Sequence, residues 1–197
     1  MLKVRDDDAG AFEELMRRYQ DRLVRLMTHL AGRRDMAEDL AQETFLRVYR
    51  SRGRYVPGSK FSTWLYTIAH NVASNALRGL ARRREVNLVR RESGEMSGNP
   101  IDITALEASG LMPTRQLDKA ELREVVKIAV AALNERQRMA VLLNKFEHLS
   151  YEEIADVMDL SPSAVKSLLS RARANLRDVL DPYLQQGTKV EVLEETP

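Results

Sequence analysis

Residues 149–177 read LSYEEIADVMDLSPSAVKSLLSRARANLR, and this stretch predicts two short helices crossing at a tight turn. Ile154, Ala155 and Met158 share the inner face of the first helix, Leu160 plugs the turn, and Val165 and Leu168 answer from the second. Small Ala155 lets the two helices approach closely. Ser150 with Glu153 forms a capping box for the first helix. Ser161 followed by Pro162 caps the second and places proline where a missing N–H costs nothing. The turn itself carries Met158-Asp159 in place of the frequent glycine. Charge is divided between the pair. Glu152, Glu153 and Asp156 lie on the first helix, whereas residues 161–177 carry Lys166, Arg171, Arg173 and Arg177 with no acid. Such donors reach base edges and phosphates when a helix enters the major groove, and its N-terminal dipole favours a phosphate. A helical hairpin with a solvated basic face shares this pattern, so the segment alone does not decide between the two.

Working outward, Asn134 with Gln137 three residues on caps a helix over 135–146, and order begins at Asp118. The last helix is expected to end near Leu184. Residues 185–197 form a frayed acidic tail with Glu191, Glu194 and Glu195 and receive no role. Before this block, residues 92–117 break every period with Ser93, Gly94, Ser97, Gly98, Asn99, Pro100, Gly110 and Pro113. They read as a flexible linker with a short helix near 103–109.

The first block is again helical. Phe12, Leu15, Met16, Tyr19, Leu23, Leu26, Met27 and Leu30 recur at three and four, up to a break at Gly32. A second helix carries Ala37, Leu40, Ala41, Phe45, Val48 and Tyr49, and Gly53, Pro57 and Gly58 mark a loop. A third runs from about Ser59 with Phe61, Trp64, Leu65, Ile68, Ala69 and Val72 inward. Thr63, Tyr66, Thr67, His70, Asn71, Ser74, Asn75 and Arg78 are assigned to its other faces. The expected fold is therefore all-α, with a three-helix bundle over 1–91 and a four-helix domain over 118–184.

Of 197 residues, 44% are hydrophobic and 30% charged, which suits a globular chain. A net charge of +2 is too small to indicate a partner, so the distribution of charge decides. No apolar run is long enough to cross a bilayer, and membrane insertion is not expected. With no cysteine, disulfides and thiolate metal sites are excluded and a reducing cytoplasm is the expected compartment.

Two segments of the first block ask for more than packing. Residues 35–49, DMAEDLAQETFLRVY, place Asp35, Glu38, Asp39 and Glu43 close together on one helix. A basic partner explains them, as does favourable acid placement near a helix N-terminus. Residues 61–84, FSTWLYTIAHNVASNALRGLARRR, combine aromatics, amides and a closing basic run. Bases stack on rings and phosphates meet arginines in single-stranded DNA sites of this composition. Trp64 fits a core position better than base stacking on position alone.

Taken with LNERQRMAVLLNKFEHLSYEEIADVMDLSPSAVKSLLSRARANLR at 133–177, these segments resemble the extracytoplasmic-function sigma factors in order and spacing. The likeness covers residues 9–84 and 118–180. It implies a sigma-2-like domain, a sigma-4-like domain, and a subunit that binds core RNA polymerase through its β′ clamp and β flap. It also implies promoter DNA as ligand, and admits an anti-sigma protein as a further partner. By the resemblance, Asp39, Gln42 and Glu43, with neighbours Leu40 and Phe45, match the surface docking on the β′ clamp helices. The loop 52–60, with Arg52 and Lys60, matches the one that captures a flipped −10 base. Trp64, Asn71, Asn75 and Arg78 match the helix that reads and opens that element. Lys166, Ser167, Ser170, Arg171 and Arg173 match the −35 reading face. Leu168 departs from a position often basic in the family, and the loop around Gly58 varies, so promoter sequence stays open. The linker would thread toward the RNA exit path.

Two other classes compete with this reading. A stand-alone repressor or activator explains the second block but neither segment of the first. A recombinase or nuclease is poorly served by scattered His29, His70 and His148, with no HExxH, phosphate loop or paired metal motif. No cofactor and no catalysis are expected.

Overall fold

The computed structural model describes residues 1–58, 60–92 and 119–188. The expected linker helix and the acidic tail beyond 188 lie outside the described residues. In chain order the helices are α1 (Leu2–Arg5), α2 (Ala9–Ala31), α3 (Arg34–Arg50), α4 (Phe61–Glu92), α5 (Lys119–Ala132), α6 (Glu135–Lys145), α7 (Tyr151–Met158) and α8 (Pro162–Thr188). A 3₁₀ turn, Arg52–Arg54, follows α3. Helix α8 passes the expected end at Leu184 and carries Pro182 inside it.

Local chemistry sets most boundaries. Asp8 caps α2 by accepting from the Ala11 N–H at 2.9 Å. Gly32 ends α2 in the left-handed region at φ 73°, where a side chain would be strained. Both capping boxes form, Asn134 with Gln137 on α6 and Ser150 with Glu153 on α7. The Ala164 N–H donates to Ser161 Oγ at 3.2 Å, so α8 starts as its Ser-Pro pair predicts. The glycine-free turn after α7 closes because Asp159 itself takes the left-handed conformation, at φ 53°. Asp tolerates that region better than most residues, and the Leu160 N–H then donates to Ala155 O at 3.0 Å.

Helices α2, α3 and α4 form the first bundle, and α5 to α8 form the second. The two are packed together. Helix α4 lies against α7, α2 touches α6, and one continuous apolar cluster runs from Leu23 to Ala172. This packing corrects the assignment of faces on α4. Tyr66 and Thr63, placed on outer faces by periodicity, are 0% and 5% exposed. Helix α4 buries one side against α2 and α3 and another against the second bundle, so its apolar period describes half of its burial.

The join is polar at its centre. Glu147, in the turn between α6 and α7, has a side chain only 5% exposed. It accepts from Arg22 Nη2 at 2.7 Å, from Arg22 Nε at 2.9 Å, and from the Tyr66 hydroxyl. Burial, together with the neighbouring carboxylate, holds the Tyr66 phenol far above its ordinary range. Ser74 donates to Glu135 at 2.6 Å, and Arg138 Nη1 donates to the Leu30 carbonyl at 3.3 Å.

Candidate nucleic-acid and polymerase-binding surfaces

Helix α3 presents its acids on one side because Ala37, Leu40, Ala41, Thr44, Phe45 and Val48 face the core. Asp39 and Gln42 are exposed, and Glu43 is partly so, held by Arg47 at 2.7 Å. An exposed pair of this kind is worth about 0–1 kcal/mol, so a stronger partner displaces it readily. Leu40 and Phe45 are placed differently. They are 8% and 4% exposed, and Phe45 meets the Phe12 ring edge-on at 6.4 Å. Their side chains pack α3 against the core. The exposed apolar residue beside Gln42 and Glu43 is Leu46, at 50%. Sequence reasoning passed over it because it falls outside the apolar stripe. Between α2 and α3 lies an open groove of about 760 Å³, whose lining includes Phe12, Met16, Val24, Gln42 and Leu46.

The candidate −10 residues separate into free and engaged groups. Asn71, Asn75 and Arg78 are exposed at three- and four-residue spacing, hence along one strip of α4. Arg78 Nη2 donates to Asn75 Oδ1 at 2.8 Å, which orients the amide. Trp64 is half-buried in an aromatic group, 5.3 Å from the Tyr55 ring and 6.1 Å from Phe61. Arg52 is occupied internally. It pairs with Asp7 at 2.5 Å and lies 4.2 Å over the Tyr49 ring, tying the loop to the N-terminal turn. Lys60 reaches across to the second bundle and pairs with Glu153 at 2.9 Å. That bond, with the Ser150 N–H, holds the Glu153 carboxyl below its usual range. His70 is half-buried, and desolvation lowers its imidazole below the ordinary value.

On α8, Val165, Leu168, Leu169 and Ala172 are buried, leaving Lys166, Ser167, Ser170, Arg171 and Arg173 exposed. The departure at Leu168 thus has a packing reason: at 8% exposure it holds α8 against its neighbours. Arg171 bonds only its own helix, through Nε to Ser167 O at 3.4 Å, and Arg173 donates to Tyr151 Oη at 2.8 Å. Among the described residues there is no cluster of acids and histidines that could hold a metal, and no helix is long and apolar enough to cross a membrane.

Residues 15–83 match Sigma-70 region 2, spanning most of α2, all of α3 and most of α4, and residues 124–176 match Sigma-70, region 4, spanning the helix-turn-helix. The RNA polymerase sigma-H factor of Pseudomonas aeruginosa is 34% identical over 185 residues, 94% of each chain. The ECF RNA polymerase sigma-E factor of Escherichia coli K12 is 33% identical over 187 residues, covering 93% of this chain and 94% of that one. Two solved structures share the fold. The sigma factor RpoE of Bartonella quintana, bound to the anti-sigma factor NepR, gives a TM-score of 0.61 at 23% identity, over 88% of this chain and 98% of that one. CnrH, bound to the cytosolic domain of CnrY, gives 0.63 at 21%, over 92% and 94%. With both conserved regions in order on an all-helical chain, and relatives matched almost end to end, the chain belongs to the extracytoplasmic-function sigma factors, which direct RNA polymerase to promoters.

Proposed function

We propose that this sigma factor divides its work among three faces, and contributes no bond-making chemistry of its own. Asp39, Gln42 and Glu43, with Leu46 beside them, dock on the basic clamp helices of the polymerase β′ subunit. Asn71, Asn75 and Arg78 hold the separated −10 strand, offsetting an unstacking cost of roughly a few kcal/mol. Lys166, Ser167, Ser170 and Arg171 read the −35 duplex, and the second bundle rests on the β flap. The residues up to 91 form the first domain, 118–184 the second, and the protein works in the cytoplasm beside the polymerase. An anti-sigma protein that grips both bundles is the natural regulator, in keeping with the partners of the two fold relatives.

The observation that carries this reading is the sorting of α8, with every candidate reading residue exposed and the residues between them buried. Run-off transcription with core polymerase on a genomic promoter library tests it. Discrete start sites sharing two upstream elements are expected, and transcripts no different from core alone would end the proposal.

Two substitutions probe the faces separately. Asp39→Ala with Glu43→Ala should weaken core binding at least about tenfold, or ~1.4 kcal/mol, with unchanged melting because both side chains reach solvent. Equal affinity for core in a fluorescence titration would remove α3 from the docking face. Arg171→Ala should cost roughly 1–3 kcal/mol and relax one −35 position if its guanidinium forks onto a base. An unaltered selection profile on randomised −35 duplexes would assign it to the backbone.

A further inference from the structure

Histidine in the last turn of a helix is ordinarily favoured as a cation, because the free carbonyls there carry partial negative charge. His29 holds that position on α2. Its carbonyls, however, are already taken by a cation from the second bundle. Arg138 of α6 donates through Nη1 to His29 O at 3.5 Å and Leu30 O at 3.3 Å. Through Nη2 it donates to Ala131 O at 2.6 Å and Leu133 O at 2.9 Å. All four partners are carbonyls, so this half-buried guanidinium meets no carboxylate among the described residues.

The His29 ring is half-buried and lies against Phe146 from the end of α6, with centroids 5.8 Å and planes 26° apart. Its nitrogens have no hydrogen-bond partner among the described residues. The charges facing it from the second bundle are positive. Lys127 comes from α5, paired with Glu124 at 2.5 Å, and Arg138 comes from α6. Glu147, in the turn after α6, is committed to Arg22 and Tyr66, with Arg22 about two helical turns back along α2. On α2 itself the residue one turn back is Arg25, again a cation. Burial first, then Lys127 and Arg138, hold the imidazole below its ordinary value. The face of Phe146 attracts an imidazolium, but a neutral ring is one weak partner against two full charges.

We propose that His29 makes the join acid-sensitive: a proton on its imidazole opposes the closed packing, so acidification parts the two bundles. When they part, Lys127, Arg138 and Phe146 leave with the second bundle, and the ring regains water and its ordinary affinity for a proton. The open chain therefore binds that proton more tightly than the closed one. Closed packing is favoured above the ordinary histidine value of about 6.5 and loses ground as pH falls through it. Burial acts on His70 of α4 as well, but there Glu135 from α6 attracts the charged form while Arg136 and Arg78 oppose it. His148 is exposed. Acid sensitivity belongs to the join alone. Its consequence, release of Lys60 from Glu153, rests on the function proposed above.

The test titrates the full chain across roughly pH 5.5–8, where histidine changes charge. Dyes on Lys3→Cys and Ala174→Cys report the separation of the bundles, and imidazole proton signals report each histidine by NMR. Transfer efficiency should fall with pH, the open-to-closed ratio rising by at most about tenfold per pH unit, the limit for one proton. His29 should titrate lower than it does in the urea-unfolded chain. Lys127→Glu should raise that titration and shrink the fall in transfer, which loss of ring stacking alone cannot do. His29→Gln, uncharged throughout, should hold transfer level, whereas His70→Gln should keep most of the wild-type response. Level transfer in the wild type, or His29 titrating as in the unfolded chain, would overturn the proposal. An equal fall in His29→Gln and wild type would assign the response to another group and overturn it as well. Core binding is read as the ratio of wild type to His29→Gln at each pH, which cancels the polymerase's own dependence. The ratio should rise on acidification. A constant ratio with an opening join would overturn the functional consequence and leave the acid-sensitive join standing.

Discussion

Replacing Glu147 by Ala should separate the two bundles while leaving each of them folded. The carboxylate is the buried centre of the join, gripped by Arg22 from α2 and by the Tyr66 hydroxyl from α4. Removing one partner of a buried ion pair costs roughly 3–5 kcal/mol, because the groups left behind stay desolvated. The lower end applies here, since the Arg22 side chain is 37% exposed and can turn to water. The Tyr66 hydroxyl has no such escape, being fully buried, and it supplies most of the penalty. Opening relieves it. A chain with no cysteine accepts two introduced thiols without interference, so Lys3→Cys and Ala174→Cys can carry a donor and acceptor dye. Transfer efficiency should drop in the Glu147→Ala background while helix content is retained. Arg22→Ala should give a smaller drop, and the double variant less than the sum, as residues sharing one bond require. Unchanged efficiency in Glu147→Ala would show that apolar packing between α4 and α7 holds the bundles without the carboxylate.

The functional stake of this join is geometric. Promoter elements centred roughly 25 base pairs apart lie about 85 Å apart at 3.4 Å per pair. A compact chain of this length has a radius of gyration of about 16 Å, too small to touch both at once. The packed arrangement also spends Lys60 on Glu153, within the loop expected to face the −10 strand. On the proposed reading, promoter engagement requires the join to open. The Glu147→Ala chain should bind core faster than wild type if opening limits assembly, and at the same rate if core itself prises the bundles apart.

What was legible in the sequence was local. Capping boxes at Asn134 and Ser150 and the Ser-Pro start of α8 are written in three or four adjacent residues, and all three form as read. The helix-turn-helix core was equally plain, because Ile154, Ala155, Met158, Val165 and Leu168 sit at helical spacing and are all buried. The geometry of the glycine-free turn was not legible, because Asp159 does not announce a left-handed conformation as glycine does. What could not be read was burial created by a partner far along the chain. Tyr66 resembles a surface residue until α7 covers it, and Glu147 resembles any solvated acid until Arg22 and Tyr66 close over it. The same limit hid the partner of Arg52, since Asp7 lies 45 residues away. Family likeness carried roles to positions on α3 without separating exposed side chains from buried ones.

That separation has a measurable consequence at Phe45. If its ring were part of the docking face, Phe45→Ala would spare stability and abolish core binding. Its burial at 4%, against Phe12 on α2, makes the opposite outcome the expected one. Truncating a buried Phe costs about 3–5 kcal/mol through forfeited transfer energy and the cavity left behind. The ring pair with Phe12 contributes roughly 0.5–1.5 kcal/mol within that. For a chain of this size the loss corresponds to a drop in melting temperature of roughly 6–20 °C, read with an unchanged m-value in urea. Phe45→Leu keeps the apolar character and most of the volume and should cost less than about 1.5 kcal/mol. Core affinity measured well below the melting point should then follow a simple order. Phe45→Leu binds as wild type does, and Phe45→Ala loses affinity only in proportion to its unfolded fraction. Asp39→Ala with Glu43→Ala loses affinity at full stability. A stable Phe45→Ala chain that cannot bind core would return the ring to the docking face, and would mean that α3 turns its buried side outward when it meets the polymerase.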